Sequence, residues 1–316
     1  MKDQVTEANK GKFADPFVTA DGQTRAEVAL THPETLWFNT GTLCNITCAN
    51  CYIDSSPTND ALVYLTAEEV QEFLTQIAAR NWPIREIGFT GGEPFMNPNI
   101  IDILRVSLQA GFEVLVLTNA MRPMMRKRLL AGIEELNAAY PGKLTFRISL
   151  DHHSRARHDE ERGSGSFDIT LQGMQWLRDA GVAMAVAGRT SFGESDPDSR
   201  AGFAALFAEH RFDIDADNPG QTVLFPEMDM SVEVPEITTA CWGILGKSPD
   251  DVMCSSSRMV VKRKGAARPT VLACTLLAYD KAFELGESLE EAEQPVQLNH
   301  PHCAKFCVLG GASCSA

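Results

Sequence analysis

Three of the chain's nine cysteines fall within the ten residues LCNITCANCY, at Cys44, Cys48 and Cys51. The C-x3-C-x2-C spacing puts three thiols on one short loop, whereas a tetrahedral metal site takes four ligands. Two chemistries suit such a loop. Three thiolates can hold three irons of a [4Fe–4S] cube and leave the fourth iron open to an exchangeable ligand. The alternative is a zinc site completed by a distant fourth ligand, since C-x2-C pairs also serve zinc. Six further cysteines, Cys241, Cys254, Cys274, Cys303, Cys307 and Cys314, crowd the end of the chain. Free cysteine packs as a small hydrophobe, so one or two could be core residues, but this density points to zinc or iron–sulfur ligation.

The loop needs a scaffold, and the sequence describes one. LTAEEVQEFLTQIAARN opens with a capping box, Thr66 and Glu69, and continues with Val70, Phe73, Leu74, Ile77 and Ala78 on one helical face. ETLWFNT before it and IREIGFT after it read as strands. Twice more a helix runs into Ala-Gly and then an apolar strand, at Ala110-Gly111 and at Ala180-Gly181. Glycine there supplies the left-handed backbone that ends a helix. Repeated helix–Gly–strand units imply βαβ crossovers and a parallel sheet. About six such strands, ending near QTVLFP, predict an α/β fold with a partial (β/α)6 TIM-like barrel. The cysteine loop follows the first strand, at the end where ligands bind in parallel α/β folds.

The expected organisation is a leader at 1–33, the barrel at 34–234 and a smaller cysteine-rich domain at 235–316. In the last of these, SSRMVVKRKGAARPTVLAC reads as a hairpin around a Gly-containing turn. The 316 residues include 28 basic and 42 acidic ones, a formal net charge of −14. That balance argues against nucleic acid and anionic membrane surfaces as partners. The N-terminal residues lack the apolar run of a signal peptide, and no stretch approaches the roughly 20 apolar residues of a membrane span. The expected compartment is the cytoplasm, where thiols stay reduced.

The second strand leads into GFTGGEPFMNP. A C-x3-C-x2-C loop beside an aromatic, followed after a helix by Gly91-Gly92-Glu93-Pro94, resembles the radical S-adenosylmethionine (SAM) superfamily. The resemblance covers roughly residues 34–230. It implies that Cys44, Cys48 and Cys51 hold a [4Fe–4S] cluster whose open iron binds SAM. It implies further that the GGEP backbone and the Glu93 carboxylate hold the SAM amino group. ISLDHHSRARHDEERGSGSF resembles the family's fourth-strand region, which would bring Ser149 and Arg162 to the SAM carboxylate. Asn119 and Arg189 end strands and face cofactor or substrate on this reading; a turn-forming Asn and a surface Arg are the plain alternatives. His152, His153 and His158 receive no role and read as solvated or structural.

A cysteine before a hairpin, another after it and a cysteine-rich end resemble the SPASM/Twitch extensions of radical SAM enzymes, which carry auxiliary iron–sulfur clusters. The pattern departs from the full SPASM set of seven cysteines, and HCAKFCVLGGASC has C-x3-C-x6-C spacing. One auxiliary [4Fe–4S] cluster is therefore expected, with Cys254 and Cys274 as ligands. Cys303, Cys307, Cys314 and Cys241 remain the candidates to complete it. A spare Cys241 beside Trp242 is a speculative hydrogen-atom donor.

The resemblance implies reductive cleavage of SAM to a 5′-deoxyadenosyl radical, hydrogen abstraction from a small-molecule or peptide substrate, and a flavodoxin- or ferredoxin-type electron donor. An auxiliary cluster that accepts an electron would make a dehydrogenase. A thiol donor would make an epimerase, and sulfur or carbon coupling a peptide cross-linking enzyme. The short leader favours a small molecule over a peptide that needs a leader-binding domain. A non-catalytic iron–sulfur carrier or a zinc-stabilised binding protein is the reading from another class, and neither requires GGEP or Arg162.

Overall fold

The computed structural model describes residues 11–190, 192–226 and 232–311, so Cys314 lies outside the described residues. The polar N-terminal part contributes a short strand, β1 (Glu27–Val28). The alternation read in the sequence then appears in order. β2 (Thr35–Asn39) leads through the cysteine loop to α1 (Ala67–Arg80), β3 (Glu86–Thr90), α2 (Ile100–Gln109), β4 (Glu113–Thr118) and α3 (Lys127–Ala139). β5 (Leu144–Ser149), α4 (Arg155–Arg162), α5 (Ser166–Asp179), β6 (Ala183–Arg189), α6 (Asp196–His210) and β7 (Thr222–Phe225) follow.

Local rules account for the helix ends. Thr66 and Glu69 form the reciprocal capping box of α1, and Val70, Phe73, Leu74 and Ile77 are its buried stripe. Gly111 and Gly181, at φ +94° and +66°, lie just beyond the last residues of α2 and α5. β2 is buried along its whole length, as expected of a parallel strand covered on both faces.

Strands β2 to β7 pair in sequence order and in parallel, for example Trp37 with Gly88 and Phe146 with Met184. This is the six-stranded partial barrel, and it places the loops after β2 to β6 at one end. Cys241–Leu245 (α7) then precedes β8 (Ser257–Val261), β9 (Thr270–Leu272), β10 (Glu284–Gly286) and β11 (Val296–Gln297). β8 and β9 form the expected antiparallel hairpin. What the sequence did not reveal is that β8 also pairs in parallel with β2, Thr35 opposite Ser257 and Phe38 opposite Val260. The cysteine-rich segment thus continues the barrel sheet to nine strands. At the far end β1 pairs with β11, and Arg25 bonds Glu236 at 2.5 Å in a buried ion pair. No helix among the described residues is long and apolar enough to cross a membrane.

Candidate active site and second cysteine cavity

The loop after β2 turns inward at once. The N–H of Cys44 donates to Ser56 O at 3.0 Å, and that of Ala49 donates to Glu161 O at 2.8 Å, anchoring the loop to α4. Asn50 adds a side-chain bond to the Glu161 carboxylate at 2.9 Å. From the C-terminal segment, the Tyr279 hydroxyl donates to Ile53 O at 2.6 Å and accepts from Asn59 Nδ2 at 3.0 Å. So held, Cys44, Cys48 and Cys51 all line one cavity of about 1050 Å³, counted out to its mouth. Burial pushes the Cys44 thiol up to about 12; it raises Cys48 too, against the pull of Arg162. Metal ligation would reverse this, because the ligand is the thiolate.

Gly91 and Gly92 line the same cavity from the end of β3. The Gly92 N–H donates to Gly41 O at 2.8 Å, and a Cβ on Gly92 would lie 2.2 Å from Leu43 O. Gly91 has φ +139°, a backbone that side chains disfavour. The adjoining Glu93 is buried and fully engaged with the backbone around it. Its carboxylate accepts from Phe95 N at 3.1 Å, Thr118 Oγ1 at 2.8 Å and Asn119 N at 2.9 Å, and the residue is not part of the cavity wall. The glycine backbone thus forms cavity wall, and the Glu93 carboxylate ties β3 to β4. Pro94 is buried and starts a short 3-10 turn behind it.

Asn119 lines the cavity and bonds Asn45 Oδ1 at 2.9 Å, which bridges to the cysteine loop. Ser149 reaches the cavity from the end of β5. The charged residues meet at Asp151, part of the Ser-Leu-Asp run but given no role by sequence. Arg162 Nε donates to Asp151 Oδ2 at 2.5 Å and its Nη2 to Oδ1 at 3.1 Å, while Arg189 Nε donates to Oδ1 at 3.0 Å. The Arg189 guanidinium also lies 4.4 Å from the centre of the Tyr52 ring. Burial opposes the Asp151 charge, but the two guanidinium groups outweigh it and hold the carboxyl at about 2. Burial likewise opposes the Arg162 charge, and Asp151 with the Cys48 and Cys51 thiols overcomes it. Two cations on one carboxylate leave a surplus positive charge beside three thiols, complementary to anionic ligands.

The three histidines are structural rather than solvated. His152 and His158 are buried, and His152 and His153 bracket the Glu194 carboxylate at 3.1 and 3.2 Å. His152 Nδ1 accepts the Ser154 N–H at 2.9 Å, while its buried Nε2 lies 3.1 Å from Glu194 Oε1 without the alignment of a hydrogen bond.

Residues 38–198, just over half of the chain, match the profile of the radical SAM superfamily. The chain belongs to that superfamily. Radical SAM proteins use a [4Fe–4S] cluster and SAM, and the first cavity fits both through its three thiols, glycine backbone and cationic surplus. Residues of this radical SAM chain are 37% identical over 145 positions to the antilisterial bacteriocin subtilosin biosynthesis protein AlbA of Bacillus subtilis, covering 46% of the chain and 30% of that protein. They are 30% identical over 141 positions to the AdoMet-dependent heme synthase of Methanosarcina barkeri, covering 43% and 37%. The matches thus span about a third of these relatives' length. The fold is similar to Streptococcus suis SuiB bound to precursor peptide SuiA, with TM-score 0.61, 12% identity and coverage of 84% and 66%. It is also similar to native anSMEcpe with bound AdoMet, with TM-score 0.58, 13% identity and coverage of 84% and 82%.

A second cavity, of about 330 Å³ counted out to its mouth, lies in the C-terminal segment, and Cys254, Cys274, Cys303 and Cys307 all line it. Cys254 precedes β8 and Cys274 follows β9, as the hairpin reading required. The other two sit on a π-helical stretch, Cys303–Leu309, whose wider winding is frequent at functional sites. Burial raises Cys254, and pushes Cys303 up to about 12. The Leu276 N–H donates to Cys274 Sγ at 3.3 Å. His302 also lines this cavity; burial lowers its ring to about 3, so it is neutral.

Cys241 is a free, half-buried cysteine. It lines neither cavity, and its Sγ accepts the Thr238 N–H at 3.3 Å. Leu276, by contrast, lines both cavities, and Phe306, between Cys303 and Cys307, lines the first. Neither had a signal in the sequence, since each is an apolar residue whose significance is the partner it meets.

Proposed function

We propose that this chain is a radical SAM enzyme of the dehydrogenase type, acting on an uncharged group of a peptide substrate with one auxiliary [4Fe–4S] cluster as electron acceptor. The observation that carries this reading is the shared wall at Leu276 between the three-cysteine cavity and the four-cysteine cavity. When bound, the cluster and SAM would supply a 5′-deoxyadenosyl radical able to take a hydrogen atom from an unactivated C–H bond.

The protein's own contribution is position, charge and exclusion of water. Cys44, Cys48 and Cys51 would hold the first cluster, and the backbone at Gly91 and Gly92 would face the SAM amino group. Arg162, with Ser149, would meet the SAM carboxylate, its fork oriented by Asp151. Tyr52, Phe225, Phe306 and Leu276 form an aromatic and aliphatic side of the cavity, with Tyr52 and Phe306 ring centres 6.3 Å apart. Such walls suit an uncharged substrate group and keep bulk water from a reactive radical. Cys254, Cys274, Cys303 and Cys307 would hold the auxiliary cluster, one residue layer away. The likeness to AlbA supports a peptide substrate. An external low-potential donor of the flavodoxin or ferredoxin type would supply the first electron.

The test is anaerobic reconstitution with iron and sulfide counted per chain, followed by dithionite, SAM and an assay for 5′-deoxyadenosine. About eight irons are expected, falling to about four in Cys44/Cys48/Cys51→Ala with cleavage abolished, and to about four in Cys254/Cys274→Ala with cleavage retained. Zinc in place of iron, or cleavage that survives loss of the three loop cysteines, would sink the reading.

A further inference from the structure

Arg258, on β8, is wholly buried, and every hydrogen bond it makes ends on a backbone carbonyl. Nε donates to Ala292 O at 2.9 Å, Nη1 to Cys254 O at 2.5 Å and Ser257 O at 2.9 Å, and Nη2 to Gln294 O at 3.3 Å. No carboxylate among the described residues forms an ion pair with it. The contrast within this half of the protein is direct, because the equally buried Arg25 has Glu236 at 2.5 Å. A guanidinium cannot shed its proton at any ordinary pH, so a fixed positive charge sits in the interior without a carboxylate counter-ion among the described residues. Carbonyl dipoles solvate it in part. They do not cancel its charge, and buried charges are ordinarily paired.

Among the described residues, the negative charge placed to meet it is that of the Cys254 thiolate. Arg258 grips the backbone of Cys254, whose thiol lies close enough to act on the guanidinium electrostatically, and Cys254 lines the four-cysteine cavity. Apart from the neutral His302 ring, the rest of that cavity's wall is apolar, with Val252, Leu277, Phe283 and Leu298 in it. Four thiolates around a [4Fe–4S]2+ core carry net negative charge, and one-electron reduction makes it more negative. We propose that Arg258 is the built-in counter-cation of the auxiliary cluster, and that its charge stabilises the reduced cluster and raises its reduction potential. The inference rests on the reading that these four cysteines hold a cluster. It assigns a tuning role to a residue that no ligand motif marks, and it makes electron acceptance from the substrate side easier.

The experiment is an EPR-monitored redox titration of the full chain carrying Cys44/Cys48/Cys51→Ala, so that only the auxiliary cluster reports, with iron counted beforehand. Arg258→Gln should retain about four irons and shift the midpoint to more negative potential. The expected size is at least a tenfold fall in the reduced-to-oxidised ratio at fixed poise, about 59 mV for a one-electron couple. Arg258→Lys, which keeps the charge and loses the fork, should stay within half of that shift. An unchanged midpoint in the Gln variant at full iron overturns the inference alone, as does a Lys variant that shifts as far as Gln. Should the Gln variant hold no iron, the Lys variant decides. A loaded cluster near the original potential supports charge compensation, and loss of iron from Lys as well assigns Arg258 to bridging carbonyls and overturns it. Absence of iron before any change at Arg258 overturns the cluster reading itself.

Discussion

The Glu93 carboxylate accepts the backbone N–H of Asn119 at 2.9 Å, fastening the end of β3 to the end of β4 behind the cavity wall. Burial raises the Glu93 carboxyl, while Asn119 N, Phe95 N and Thr118 Oγ1 pull it down. In Glu93→Gln, an amide NH2 replaces one acceptor and faces buried donors. The expected cost is about 1–3 kcal/mol of stability, read from the urea midpoint. A variant as stable as the parent would show that the three bonds do not hold the strands together.

Asp151 carries two guanidinium groups, and Asp151→Asn should destabilise the chain by about 3–5 kcal/mol, because buried cations lose their partner. The folded carboxyl lies at about 2 against an ordinary 3.8. Its stabilisation is therefore fully present above pH ~4 and lost as pH falls through ~2, about 2 kcal/mol in all. Urea denaturation of cluster-free protein between pH 5 and 2.5 should fall more steeply with acid for the parent than for Asp151→Asn.

Gly92→Ala asks for a Cβ 2.2 Å from Leu43 O, a backbone atom beside Cys44. The cysteine loop must shift, so iron content should drop by about four per chain while the auxiliary iron stays. Normal loading with normal SAM cleavage would show that the loop yields without losing its geometry.

Tyr279→Phe removes a donor to Ile53 O and an acceptor from Asn59 Nδ2. The loss should cost about 0.5–1.5 kcal/mol. Its sharper signature is kinetic, with a chelator stripping iron faster from the three-cysteine loop than from the four-cysteine cavity. Equal rates in variant and parent would remove Tyr279 from the account of how the loop is held.

Arg162→Lys keeps a charge near Asp151 but gives up the paired contact. SAM should bind roughly tenfold to a hundredfold more weakly, matching about 1.5–3 kcal/mol for a bond to a charged group, by equilibrium dialysis. Unchanged affinity would assign Arg162 to Asp151 alone.

The parts that sequence discloses are those governed by neighbours along the chain. Thr66 with Glu69, glycine after Ala110 and Ala180, and three cysteines on a strand-to-helix loop each follow from local rules. The Arg162 contact, by contrast, depends on Asp151, eleven residues away, and the cavity wall depends on Leu276 and Phe306 arriving from the far end of the chain. Glu93 was legible as an important residue, but not which way its carboxylate points. An apolar or charged residue has no spacing rule that names its distant partner, so Arg258 read as one more basic residue in a hairpin.

One consequence lies in the order of synthesis. β8, at Ser257–Val261, is the parallel neighbour of β2, at Thr35–Asn39. As the chain leaves the ribosome, β2 therefore waits with one edge bare until β8 has been translated, and bare edges invite wrong pairing. Contacts of such long sequence separation also form slowly. The three-cysteine loop hangs from that unfinished strand, so iron delivered to it would meet a finished receptacle only once β8 has been made and paired. Expression that outpaces this last step should yield aggregated, colourless chain, and slower expression a brown, soluble one.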